Sequence, residues 1–281
     1  MTGHDSLMQP PLEKTVEETV EETVEQAAEQ AQALVANARH IEVFTGAGMS
    51  ADSGIATFRD AQTGLWENVD PTALASIDAW AQDPEPMWAW YLWRAHLVNQ
   101  AEPNAGHRAI ADWGMRSGTR NGAHHDVKVT VTTQNIDNLH ERAGSSDVAH
   151  LHGSLFHYRC SICSRPWKAP VELPDEPVER LTPPTCPLCG NLVRPGVVWF
   201  GEALPPREWE KAEQRMNEAD LVVIVGTSGV VYPAAGLPVI AYQRGTPIIE
   251  VTPKRTDLST IASVVVETTA AQGLPRIFSD A

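Results

Sequence analysis

No stretch of the chain approaches the ~18 consecutive apolar residues that would cross a bilayer, so an integral membrane protein is not expected. The start, MTGHDSLMQPPLEK, has no basic segment followed by an apolar one and does not read as a secretory leader. It is also too acidic for a mitochondrial transit peptide, and a cytoplasmic address is the expectation. Basic charge is short as well. Against 36 Asp and Glu stand 21 Lys and Arg, a formal net charge of −15, which repels phosphate backbones and argues against a nucleic-acid partner. What remains is an ordinary globular composition, 42% hydrophobic and 20% charged over 281 residues, enough for one large domain or two small ones.

Cysteine is limited to four, and all four fall into two equal pairs, Cys160-x-x-Cys163 and Cys186-x-x-Cys189. A disulfide framework suits small secreted chains, and this chain is neither small nor visibly secreted. Two such knuckles bring four thiolates within tetrahedral reach of one soft divalent ion, and zinc is the usual occupant. Four thiolates leave no open position for water or substrate, so this zinc is expected to be structural and the chemistry to lie elsewhere. The plain alternative is four unrelated buried cysteines.

Residues 1–13 are polar and proline-bearing, and are expected to be disordered. A four-residue repeat follows, Thr15-Val-Glu-Glu, Thr19-Val-Glu-Glu and Thr23-Val-Glu-Gln, which aligns Val16, Val20 and Val24 on one helix face and leaves a solvated acidic face. Five β-branched runs come next: 41–45, 127–133, 221–225, 247–252 and 263–267. They are short and nearly all apolar, the pattern of parallel strands covered by helices on both faces. The first three lead into Gly46-Ala-Gly48, Gln134-Asn-Ile-Asp137 and Gly226-Thr-Ser228, and in such sheets ligands bind beyond the carboxyl ends of the strands. Two stretches interrupt the pattern. Residues 60–105 are rich in Trp and Pro and helical around 86–100, while 153–197 hold the cysteine knuckles.

Gly46-Ala-Gly48-Met-Ser-Ala51 has the strand-to-helix setting of a dinucleotide-binding loop, in which glycine lets the backbone approach a pyrophosphate and a helix start offers N–H donors. The second strand ending in Asp or Glu that a dehydrogenase would show about 20 residues on is missing. Taken in order, GAGMSADSGIATFRD (46–60), TQNIDNLHERAG (133–144), HLHGS (150–154), the cysteine pairs, VWFGE (198–202) and GTS (226–228) closely resemble the sirtuin family of NAD-dependent protein lysine deacylases. The resemblance covers about residues 33–278.

The resemblance implies a Rossmann-like, doubly wound parallel sheet with a smaller zinc-ribbon and helical insertion domain. The boundaries it suggests are an acidic extension over 1–32, an NAD-binding domain from 33–59, 106–152 and 198–281, and a small domain from 60–105 and 153–197. It further implies NAD+ as co-substrate, one zinc per chain, and acyl-lysine peptides or proteins as partners. The products would be free lysine, nicotinamide and O-acyl-ADP-ribose. His152 would be the general base, with Asn135 and Asp137 beside it. Gly46, Ala47, Gly48, Ser50, Phe58 and Arg59 would meet the phosphates and nicotinamide ribose. Gln134, Asn135, Ile136 and Asp137 would line the ribose and nicotinamide pocket, and Gly226, Thr227 and Ser228 the adenosine side. Val198, Phe200 and Gly201 would offer backbone pairing to an extended substrate.

The chain departs from the family at Ala56, where many members have proline, and at Thr252, where an asparagine is usual and a contact to the adenosine ribose is expected. Of the paired histidines, His150 and His152, two apart on an extended segment, share a face; the glycine after His152 marks it as the base. Tyr91 and Arg94, three apart on a helix, present a phenol and a guanidinium to the same side, a good grip for a carboxylate. This pair, with the small Ala75, resembles the branch that removes succinyl, malonyl or glutaryl groups; the plain reading is a helix filling core. Two other functions stay open: a mono-ADP-ribosyltransferase or NAD hydrolase on the same scaffold, and a non-catalytic zinc-ribbon binding module.

Overall fold

The computed structural model describes residues 16–55, 74–116, 118–120, 123–125 and 127–279. Helix α1 spans Val16–Asn37 and strand β1 His40–Thr45. A single helical turn, Gly48–Ala51 (α2), precedes Ile77–Gln82 (α3), Pro84–Gln100 (α4) and Ala105–Met115 (α5). Gly118–Arg120 (β2) and Ala123–His125 (β3) pair as a small antiparallel hairpin. Then come Lys128–Thr133 (β4), Leu139–Ala143 (α6), Val148–His150 (β5), Gly153–Cys160 (β6), Pro166–Trp167 (β7) and Val193–Val197 (β8). The remainder comprises Pro206–Glu218 (α7), Leu221–Val225 (β9), Leu237–Gln243 (α8), Ile248–Val251 (β10), Val264–Val266 (β11) and Ala270–Ile277 (α9).

Six strands form one parallel sheet in the order β11-β10-β9-β1-β4-β5. All six residues of β1 and all five of β9 are buried, which is why β9 reads as an unbroken apolar run and β1 carries its apolar residues on both faces. One face is covered by α1, α5 and α9 through Val24, Ala28, Ala31, Val35, Ile110 and Leu274. The other is covered by α7 and α8 through Ala212, Met216, Leu237 and Ala241. Five of the strands match the β-branched runs. The sixth, β5, is three residues of mixed polarity and has no run to announce it.

Helix α1 runs unbroken past residue 32. From Val24 onward its small apolar residues belong to the main core, while Glu21, Glu22, Glu25 and Glu29 stay exposed, so the expected solvated acidic face is there. Arg276 of α9 reaches Glu21 at 2.8 Å and Glu25 at 3.2 Å, one turn apart, and Gln32 Nε2 donates to the Ser279 carbonyl at 3.1 Å.

A second, antiparallel sheet, β7-β6-β8, carries the cysteines and shares a separate aromatic core with α3 and α4. Pro84 opens α4 in the first turn, where its missing N–H costs no hydrogen bond. Trp88, Trp90, Tyr91 and Leu92 are all buried, so α4 is wrapped on most of its circumference by α3, β6 and β8. Arg180 clamps Asp83 at 2.7 Å and Glu85 at 3.0 Å, fixing the loop between β7 and β8 to the start of α4. No helix among the described residues is long and apolar enough to cross a membrane.

Candidate active site

The carboxyl ends of five neighbouring strands deliver the site. Gly46–Gly48 follow β1, Gln134–Asp137 follow β4, His152 follows β5, Gly226–Ser228 follow β9, and Thr252 follows β10. Parallel pairing holds these ends level: Thr45 sits opposite Thr133 on one side and Val225 on the other. Phe58 and Arg59, and the departure at Ala56, lie outside the described residues.

The glycines of the first loop have a nearer task than a phosphate. A Cβ on Gly48 would lie 2.7 Å from the Gly226 Cα, and Gly226 itself has a φ of +57°. Backbone therefore crosses backbone where the β1 and β9 loops meet, and only glycine fits there. The N–H donors expected to face a ligand at the start of α2 are engaged within the protein. Gly48 donates to the Gly226 carbonyl at 2.8 Å, Met49 to Gly46 at 2.9 Å and Ser50 to Ala47 at 3.1 Å. These bonds weld the β1 loop to the β9 loop.

The β4 loop is held from three sides. Gln134 Nε2 donates to Thr227 Oγ1 at 2.9 Å, bridging across β1 to the β9 loop, and its backbone N–H donates to the Thr45 carbonyl at 2.9 Å. Asn135 Nδ2 donates to Ser50 Oγ at 3.2 Å, and Ser50 Oγ donates to Asp137 Oδ2 at 2.9 Å. Asp137 Oδ1 also accepts the Leu139 N–H at 3.1 Å. Burial raises the Asp137 pKa, with those two hydrogen bonds working against it. Ile136 accepts the Leu155 N–H through its carbonyl at 2.9 Å and leans on the aromatic core. Ser50, Asn135 and Asp137 thus form one buried polar cluster.

The two histidines bond adjacent carbonyls, as a shared face requires, and end in opposite states. His152 Nδ1 lies 2.9 Å from the Gln134 carbonyl. A carbonyl only accepts, so the proton sits on Nδ1 and Nε2 carries the lone pair. Burial lowers the His152 pKa, with the carbonyl bond opposing, and the ring is neutral at pH 7. His150 places Nδ1 3.1 Å from the Asn135 carbonyl and Nε2 2.7 Å from Glu141 Oε1. Both nitrogens then donate. Burial depresses the His150 pKa, the Glu141 carboxylate outweighs it, and the net shift is upward. A neutral, lone-pair-bearing imidazole at 152 and a paired one at 150 is the division of labour expected of a base and its structural neighbour.

The four cysteines converge. Cys160 and Cys189 sulfurs are 3.4 Å apart, Cys163 and Cys186 3.8 Å, and all four lie within 4.8 Å of one another. Zinc–sulfur bonds of about 2.3 Å place tetrahedral sulfurs about 3.8 Å apart, so the cluster fits one structural zinc. Each knuckle closes the same way: Cys160 N–H to the Arg165 carbonyl at 2.9 Å, Cys186 N–H to the Asn191 carbonyl at 2.7 Å.

A Sir2 family model matches residues 46–233. The chain belongs to the Sir2 family. It is 67% identical over 247 residues to the NAD-dependent protein deacylase 2 of Corynebacterium efficiens, covering 88% of this chain and 94% of that one. It is 50% identical over 237 residues to the NAD-dependent protein deacylase Sir2 of Mycolicibacterium smegmatis, 84% of this chain and 94% of the other. A solved Sir2 homologue in complex with NAD superposes with a TM-score of 0.78 at 42% identity, covering 89% of this chain and 92% of that one.

Beside this Sir2 site, Ala75, Tyr91 and Trp199 share one buried wall. Tyr91 accepts a hydrogen bond from Trp199 Nε1 at 3.0 Å, and burial pushes its phenol up to about 12. The Arg94 guanidinium sits 4.8 Å over the Trp90 ring, with no carboxylate partner among the described residues. Burial lowers its pKa, opposed by Tyr91 and by Asp137. The Thr252 hydroxyl donates to the Lys254 carbonyl at 2.7 Å, so its proton is spent inside its own loop. In the VWFGE segment, which follows β8 as a loop, the Val198 N–H goes to the His152 carbonyl and the Phe200 N–H to Ala75, both at 2.8 Å, and the Trp199 N–H goes to Glu202 Oε2 at 2.8 Å. Arg194, Trp199 and Glu202 carry no individual weight in the sequence, because nothing in VWFGE or its flank distinguishes a buried guanidinium from a surface one.

Proposed function

We propose that this Sir2 protein is an NAD-dependent protein lysine deacylase acting on acetyl-lysine and on acidic acyl-lysines such as succinyl- and malonyl-lysine. The observation that carries the chemistry is the His152 tautomer, with its proton held by Gln134 and its lone pair at Nε2. In our reading residues 33–59, 106–152 and 198–281 form the NAD-binding domain, and 60–105 with 153–197 the small one. NAD supplies the ribose that takes the acyl group, and the overall reaction consumes water to give lysine, nicotinamide and O-acyl-ADP-ribose. The protein's part is to orient and to move one proton. Asn135, Ser50 and Asp137 hold a rigid polar wall for the ribose and nicotinamide. Gln134 and Thr227 tie the two loops over which the dinucleotide lies. His152 Nε2 accepts a proton from a ribose hydroxyl, making that oxygen the nucleophile toward the acyl carbon.

The acidic-acyl preference rests on Arg94, a half-buried guanidinium with no carboxylate partner among the described residues, next to a phenol whose hydroxyl has no acceptor among them. A charge-assisted hydrogen bond there contributes about 1.5–3 kcal/mol, or roughly ten- to a hundredfold in binding. One peptide carrying acetyl-, succinyl- or unmodified lysine tests both claims. Nicotinamide is released with the acylated peptides and not with the unmodified one; release without an acyl group would instead mark an NAD hydrolase. Arg94→Met, which keeps the apolar stem, lowers the succinyl-to-acetyl ratio of kcat/KM by about tenfold or more, and Tyr91→Phe lowers it less. If both activities and the melting temperature fall together, Arg94 is core packing and the protein is a plain deacetylase.

A further inference from the structure

Behind the acyl wall lies a buried polar assembly that the reaction itself does not use. Arg194, on β8, is 1% exposed. It donates from Nη1 to Glu202 Oε1 at 2.6 Å and from Nη2 to Glu202 Oε2 at 2.8 Å, a two-point fork on one carboxylate. Nη2 also reaches the Val197 carbonyl at 2.9 Å, and Nε the Pro195 carbonyl at 3.3 Å. The guanidinium carbon lies 3.3 Å from the Trp199 ring centroid, and Glu202 takes the Trp199 N–H. Trp80 closes the far side, its ring 5.3 Å from that of Trp199. An indole gripped by its backbone, by a cation on one face and by a second indole has little rotational freedom left.

The one polar atom of that indole, Nε1, points at Tyr91. Indole N–H donates and never accepts, so Tyr91 can only receive this bond through an oxygen lone pair. Its own hydrogen is thereby turned away from Trp199, and no acceptor for it exists among the described residues. With Arg94 one helical turn along α4, the side chains of Tyr91 and Arg94 bring two donors to the wall. The geometry assigns Trp199, locked by Arg194 and Glu202, as a positioning residue that sets acyl specificity by holding the Tyr91 hydroxyl as a donor toward an anionic acyl terminus. This inference rests on the acidic-acyl reading of the Tyr91 and Arg94 pocket.

Trp199→Phe keeps an aromatic ring beside Arg194 and Trp80 and deletes the N–H that fixes Tyr91, the loss of ring volume being read from the melting temperature. Wild type, Trp199→Phe, Tyr91→Phe, the double variant and Arg94→Met are compared on matched succinyl- and acetyl-lysine peptides, with thermal melts to confirm folding. In Trp199→Phe the succinyl-to-acetyl ratio of kcat/KM falls about fivefold, carried by KM for the succinyl peptide rather than by kcat, on the order expected for one neutral hydrogen bond. The double variant falls no further than Tyr91→Phe, because the indole acts through that hydroxyl. Additive losses, or an unchanged ratio in Trp199→Phe while Arg94→Met lowers it, overturn the role of Trp199 and leave the acyl reading standing. An unchanged ratio in Arg94→Met overturns both. Should Trp199→Phe melt too low to assay, Glu202→Gln loosens the same clamp from the other end, and a ratio unaffected by it overturns the assignment equally.

Discussion

His152→Ala reduces turnover by roughly 10²–10⁴-fold while NAD still binds, because the substitution deletes the one lone pair placed to take a proton and leaves the loops around it intact. Gln134 keeps its bonds to Thr227 and Thr45, so the dinucleotide floor does not depend on the imidazole. The pH profile separates this histidine from its neighbour. A base must be neutral to act, so activity falls as pH drops through its pKa. His152 is shifted down, which puts the acid limb below its ordinary value of about 6.5; His150 is shifted up and as the base would put the limb above it. Steady-state rates from pH 5 to 9, with calorimetric NAD titration of the variant, check both points. A variant with near-normal turnover, or a limb above 6.5, removes His152 from this role.

Removing the metal from the four-cysteine cluster, or replacing Cys186 with serine, unfolds the β6–β8 module. Structural zinc in such sites contributes on the order of 10 kcal/mol of apparent binding energy, as much as the whole stability of many domains. The effect does not stay local. Val193 pairs with Cys160 in the hairpin, and the next residue along, Arg194, holds the Trp199 and Glu202 assembly. Metal content by elemental analysis, followed by thermal melts before and after chelation, provides the measurement. Purified protein that lacks zinc yet melts and works normally contradicts the claim.

The parts of this molecule that were legible from the amino-acid sequence are those where one residue type has one dominant physical use. Short runs rich in Val, Ile and Thr are economical only when both faces of a strand are covered, and β1, β4, β9, β10 and β11 followed. Paired CxxC knuckles in a chain of this kind have little use besides gripping a metal, and the sulfurs converge. Strand β5 escaped because Val148–His150 is too short to have a period, although it fixes where His152 emerges. The glycines were placed correctly and understood incompletely: a tight approach between Gly48 and Gly226 leaves no trace in either loop alone, since it is a property of two segments far apart in the chain. Arg194 and Glu202 escaped for the same reason. A bidentate pair between them is invisible until the hairpin folds, and each reads alone as an ordinary surface charge.

The strand order has a bearing on how the molecule is made. β1 is the second element in the chain but lies between β4 and β9. As translation proceeds, β4 emerges after it, then the entire cysteine module, whose strands pair with one another and can settle early. β9 arrives only afterwards, and with it the residue against which Gly46–Gly48 are welded. Between the synthesis of residue 45 and residue 225 the segment Ile41–Thr45 has at least one open hydrogen-bonding edge, and both edges are open until β4 is made. At ribosomal speeds of about 5–20 residues per second this interval is about 10–40 s. That is the window in which a nascent chain is open to mispairing with other copies on the same message, and in which a chaperone that covers extended apolar segments protects the yield.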